Sequence, residues 1–123
     1  MQLKTLLVSV LAAGSLLAQA PTAPKVTHVL ATLTLKVPRE KIAPVMQDEV
    51  RDTVNLYLDG RIEQWYARGD GKGVVFLLDC KSVEEAKAIL EKLPLIKNNF
   101  ATFDYVTLGP LTPLRLLMAE PAK

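Results

Sequence analysis

The sequence predicts an α+β fold of βαββαβ order: a four-stranded antiparallel sheet with two helices on one face. Three observations predict it. An alternating stretch from Thr27 to Val37 is followed by a helical repeat. Two further strand-like stretches flank a glycine-rich turn. A second helical repeat precedes a last strand. This is the split βαβ order of ferredoxin-like folds.

In the first strand, Val29, Ala31, Leu33, Leu35 and Val37 point one way, and His28, Leu30, Thr32, Thr34 and Lys36 the other. Pro38 stops it. Residues 39–44 are a transition, with Pro44 suited to the first turn of a helix because its missing N–H costs nothing there. Met46, Val50, Thr53, Val54, Tyr57 and Leu58 then recur at helical spacing, opposite Gln47, Asp48, Arg51, Asp52 and Asn55. Gly60 suits the left-handed end of that helix.

Residues 61–68 read as a second strand and 74–80 as a third. The third is the most apolar and is expected to be central. Between them, Gly69-Asp70-Gly71-Lys72-Gly73 makes a tight hairpin turn. A phosphate-binding reading of this loop fails on context, because it joins two strands and opens no helix. Asp70 and Lys72 can still form a mobile rim. Ser82 and Glu85 fit a capping box, and Val83, Ala86, Ile89, Leu90 and Leu93 form the buried stripe of a second helix that Pro94 ends. Asn98-Asn99 is a turn, and residues 100–108 are the fourth strand.

The 123 residues allow one domain, and 50% hydrophobic content supplies one small core. A formal charge of +2, with scattered basic residues, argues against nucleic acid. A single cysteine, Cys80, excludes an intrachain disulfide framework. At the end of an apolar strand it is expected to be buried and inert.

Residues 1–20 read as a secretory signal peptide: Lys4, an apolar run from Leu6 to Leu17, and the A-x-A pattern Ala18-Gln19-Ala20. Gly14 and Ser15 interrupt the run, which is short for a bilayer, so no stable membrane anchor is expected. Pro21 would follow the scissile bond, which leaves cleavage a residue or two earlier as an alternative. The mature protein is then periplasmic or secreted, with 21–26 an extended leader, 27–118 the domain with its C-terminal arm, and 119–123 a tail. The arm, residues 109–118, is too apolar for a free end, and its two prolines forbid a central strand. A partner subunit is one surface it can pack on. Two helices cover one face of a four-stranded sheet. The third strand is apolar on both faces, Val75 and Leu77 against Val74, Phe76 and Leu78, so burial of the second face calls for a homodimer or higher homo-oligomer.

The segments Leu58-Asp59-Gly60-Arg61, Val75 to Ala86, Ile89-Leu90-Glu91-Lys92-Leu93-Pro94-Leu95 and Val106-Thr107-Leu108-Gly109-Pro110-Leu111 resemble the muconolactone isomerase family and, more loosely, YciI-like proteins. Both belong to the dimeric α+β barrel group. The resemblance runs through most of residues 27–114 and is carried best by the helix with its Leu-Pro-Leu sequel. It implies paired sheets forming a barrel, a ligand cleft in or beside it, and a proton shift within an unsaturated lactone. The chain differs from the isomerases in its export signal and in having Ala67, not arginine, after Tyr66. It also lacks the YciI-like histidine of the first helix.

Such a proton shift needs a base and a group that holds developing negative charge. Glu49, Glu63 and Asp104 are candidate bases; Arg61 and Arg68 are candidate anion holders. Each also has a structural reading: Glu49 as a surface charge on a helix, Arg68 as a strand-end salt bridge. Trp65 and Tyr66 can stack on a ligand or pack in a core or interface. As neighbours on a strand, at most one is expected to line a given cleft. Tyr105 is a candidate ligand contact or a core residue with its hydroxyl at the edge. His28, the only histidine, is a candidate ligand contact; with no carboxylate at ligand spacing nearby, no metal is expected, and no cofactor.

Three readings remain open. An isomerase-like enzyme calls for a base with raised pKa facing the cleft. A noncatalytic small-molecule binder calls for an apolar cleft with polar groups only at its mouth. A structural oligomer calls for a barrel filled by side chains such as Leu30 and Phe76.

Overall fold

Strand β1, His28–Leu35, forms where the alternation was strongest, and its inward residues Val29, Ala31 and Leu33 are buried. The computed structural model describes residues 25–111 and Met118. The expected signal peptide at 1–20, residues 21–24 of the leader, residues 112–117 of the arm and the tail lie outside the described residues.

The transition after Pro38 is itself helical. Helix α1, Arg39–Ile42, passes through a 3₁₀ turn at Ala43–Val45, which holds Pro44, into α2, Met46–Leu58. Gly60 takes φ +77° and its amide donates to Tyr57 O, closing the helix end as expected. Strands β2, Ile62–Ala67, and β3, Gly73–Leu78, form the hairpin.

Helix α3, Val83–Leu90, starts on Ser82, whose Oγ accepts from Glu85 N at 3.1 Å. The return bond of the capping box differs from expectation: Glu85 Oε2 accepts from Lys81 N, one residue before the cap. Pro94 opens a new one-turn helix, α4, Pro94–Lys97, at a position where a missing N–H is harmless. Strand β4, Ala101–Leu108, follows Asn99, which takes φ +58°.

The four strands form one antiparallel sheet in the order β2-β3-β1-β4, consistent with a ferredoxin-like type. The apolar β3 is central, as its composition predicts. A register irregularity between Ile62 and Gln64 places Glu63 in a bulge of β2.

The buried residues fall into two clusters on the helical face. Val29, Ala31, Phe76, Leu78 and Ile62 pack under α3 against Ala86, Ile89 and Leu90. Leu33 and Ala101 pack with Ile42 and Leu95 of the short helices α1 and α4. Helix α2 sends no fully buried apolar side chain into either cluster; Val50, Tyr57 and Leu58 of its expected stripe are exposed. The helix stands off the sheet and leaves a cleft. The opposite face of the sheet carries Leu30, Val75, Leu77 and Val106, and none of the helices α1 to α4 covers it. Among the described residues no helix is long and apolar enough to cross a membrane.

Candidate functional site

The cleft between α1, α2 and the sheet measures about 900 Å³. Leu33, Leu35, Val74 and Phe76 form its floor, and Ile42, Met46, Val50 and Val54 its helical wall. An apolar space of this size suits a small organic molecule.

One carboxyl stands in this apolar wall. Glu49 is 5% exposed and is the only charged residue buried among the described residues. The expected surface charge on α2 is therefore corrected. The helix turns Glu49 inward because its Oε2 accepts from Leu95 N at 2.9 Å, satisfying an amide in the first turn of α4 that has no partner within that helix. Burial pushes the Glu49 carboxyl above its ordinary range; the Leu95 amide partly offsets this, and nearby Asp52 adds to it. Thr53 Oγ1 donates to Glu49 O at 2.8 Å and tightens this turn of the helix.

Arg39 stands in the lining at the α1 end and donates to Gly71 O at 3.4 Å, linking α1 to the hairpin turn. That is the one hydrogen bond of its guanidinium among the described residues, so further guanidinium donors are available to an anion. Arg39 carries no sequence signal for this role, because it lies in a proline-bounded transition with no strand or helix pattern of its own.

Both Trp65 and Tyr66 line the cleft, against the expectation that at most one would. β2 is an edge strand of the sheet. Trp65 pairs with Phe76 and stacks on Tyr57 with ring centroids 4.2 Å apart, tying the far end of α2 to the sheet. The Tyr66 hydroxyl donates to Gln64 Oε1 at 2.8 Å.

The other candidates lie elsewhere. Arg68 is engaged by Thr34 Oγ1 at 2.7 Å, Leu33 O at 3.3 Å and Asp70 Oδ2 at 2.6 Å, and it does not line the cleft. The Lys72 amide, seconded by Arg68, holds the Asp70 carboxyl below its usual range. Asp70 thereby links the Lys72 amide and Arg68 within the hairpin turn. Arg61 is exposed outside the cleft, and Asp104 lies on the open face of the sheet, paired with Thr32.

Tyr105 packs beside Phe103 at 5.9 Å, and its buried hydroxyl has no hydrogen-bond partner among the described residues. Burial, with a smaller contribution from Glu91, pushes its pKa up to about 12. Cys80 is buried and its thiol is pushed up by burial, so a thiolate is disfavoured.

His28 and Glu63, 35 residues apart in sequence, meet at 2.9 Å between Nε2 and Oε2. Asp79 joins them, one ligand atom from each residue lying within 4.8 Å of the others. The expectation of no carboxylate near His28 is corrected by the strand register and the bulge, which sequence spacing does not reveal. None of these residues lines the cleft. The sequence matches no model of a known protein family and no curated protein.

Proposed function

We propose that this protein is muconolactone isomerase-like and moves a proton within a small, largely apolar, carboxylated ring compound bound between α2 and the sheet. Glu49 takes the proton from one carbon and returns it to another, and Arg39 pairs with the carboxylate. The observation that carries this reading is a buried carboxyl of raised pKa in the wall of an apolar cleft. Such a group is a stronger base than an exposed glutamate, and burial keeps its proton from exchanging freely with water. Apolar walls favour a ring, and Trp65 supplies a flat surface at the rim.

The sequence reading of an export signal and the apolar open face of the sheet belong to the same proposal: an exported homodimer whose open faces pair into an α+β barrel. Leu30, Val75, Leu77 and Val106 are the residues that pairing would bury.

The test is turnover of muconolactone, followed by absorbance, with Glu49→Gln alongside. Gln keeps an acceptor for Leu95 N and removes the ionisable oxygen. Loss of a general base lowers turnover by roughly 10²–10⁴-fold. No turnover by the folded wild-type protein would retire the isomerase reading. A second reading, noncatalytic binding, is favoured by the bond from Leu95 N, which gives Glu49 a structural task as well. It would stand if the protein bound the lactone without converting it.

A further inference from the structure

The cleft leaves a second constellation unused. His28 opens β1, Glu63 occupies the bulge of β2, and Asp79 directly follows β3. β3 runs between the other two strands, so the three residues converge from neighbouring strands at one end of the sheet. Their backbones are fixed: His28 pairs with Leu108, and Asp79 N donates to Arg61 O at 3.0 Å. In a regular strand side chains alternate strictly between faces, and Ile62 and Gln64 would share one face opposite Glu63; the bulge breaks that alternation here.

We propose that His28 Nε2, Glu63 and Asp79 bind a borderline divalent cation of the Zn²⁺ class, with at least one coordination position left to water. One imidazole and two carboxylates are a donor set that such ions accept. Two ligands on one tetrahedral ion stand about 3.3 Å apart, given bonds of about 2.0–2.2 Å. The three ligand atoms already lie within 4.8 Å of one another, and His28 and Glu63 at 2.9 Å need open only slightly.

The surroundings of His28 support ligation. Its Nδ1 lies 2.9 Å from Thr27 Oγ1, which in turn reaches Leu108 O at 3.5 Å. Without metal, the Thr27 hydroxyl can donate to Nδ1 while Nε2–H donates to Glu63. With metal, Nδ1–H donates to Thr27, the Thr27 proton turns to Leu108 O, and the Nε2 lone pair is free for the ion. Both states leave the His28 ring nitrogens and the Thr27 hydroxyl paired. A partner on the second nitrogen orients a ligating imidazole and raises its basicity.

The test uses ZnCl₂ alone and the untagged protein. His28 is the only histidine, so its ring nitrogens give unambiguous NMR signals. One equivalent of Zn²⁺ should shift the Nε2 resonance, with calorimetry giving one site per chain. Glu63→Gln and Asp79→Asn should each weaken binding by about tenfold or more, and Thr27→Val by roughly ten- to a hundredfold through loss of the outer partner. Circular dichroism confirms that the variants fold. Ring signals that stay in place on adding Zn²⁺ to the wild-type protein would overturn the proposal. So would carboxylate variants that bind as tightly as wild type.

Discussion

The Glu49 carboxylate accepts a hydrogen bond from the Leu95 amide at 2.9 Å, joining α2 to α4 across 46 residues of sequence. This contact turns an acidic side chain into the wall of an apolar cleft. It also predicts an opposing pair of effects on stability. Glu49→Ala should cost about 1–3 kcal/mol, because it leaves the buried Leu95 amide unpaired. Glu49→Gln should behave differently with pH. The folded carboxyl is raised above its unfolded value, so the stability it contributes is complete below the ordinary glutamate range. That contribution is lost as pH rises through the folded value. Urea midpoints should therefore move in favour of Glu49→Gln between acid and neutral pH.

Gly73 takes φ +157°, and a Cβ added there would collide with the Leu33 carbonyl of the neighbouring strand. Gly73→Ala should destabilise by at least about 3 kcal/mol, since strain and backbone displacement add. Gly69, in the same turn, has open space around the Cβ position. Gly69→Ala should stay within about 0.5 kcal/mol of wild type. Chemical denaturation of the two variants makes the comparison.

Much of this architecture is legible in the sequence. The alternation from His28 to Leu35, the glycine hairpin, the Ser82 cap and the apolar third strand all act locally, so their pattern survives folding unchanged. The candidate site is not legible in the same way. Helical periodicity placed Val50, Tyr57 and Leu58 inward, but α2 stands away from the sheet and its buried side includes Glu49. The bond that draws Glu49 inward comes from Leu95, and no pattern within α2 announces it. Asp79 and Glu63 reach His28 only through strand register and a bulge, both tertiary properties.

The two arginines near the hairpin should separate binding from stability. Arg39 lines the cleft and makes one long hydrogen bond. Arg39→Ala should weaken a carboxylated ligand by roughly tenfold, the loss of one charge-assisted bond, with little change in stability. Arg68 is tied to Thr34, Leu33 O and Asp70 outside the cleft. Arg68→Ala should cost about 1–2 kcal/mol and leave ligand affinity unchanged. Calorimetric titration and thermal unfolding of both variants check this.

Tyr105 presents the reverse case, a buried hydroxyl without a partner among the described residues. Burying it unpaired has a cost that phenylalanine avoids. Tyr105→Phe should be neutral or stabilising by about 1 kcal/mol, read from the urea midpoint.

The most direct test of the account is the titration of the Glu49 side-chain carboxyl carbon by ¹³C NMR, with and without a bound carboxylated lactone. A midpoint above the ordinary glutamate range is expected in the free protein, with a further change when ligand fills the cleft and excludes water. A midpoint in the ordinary range that ligand leaves unmoved would contradict it, because Glu49 would then be neither desolvated nor part of the site.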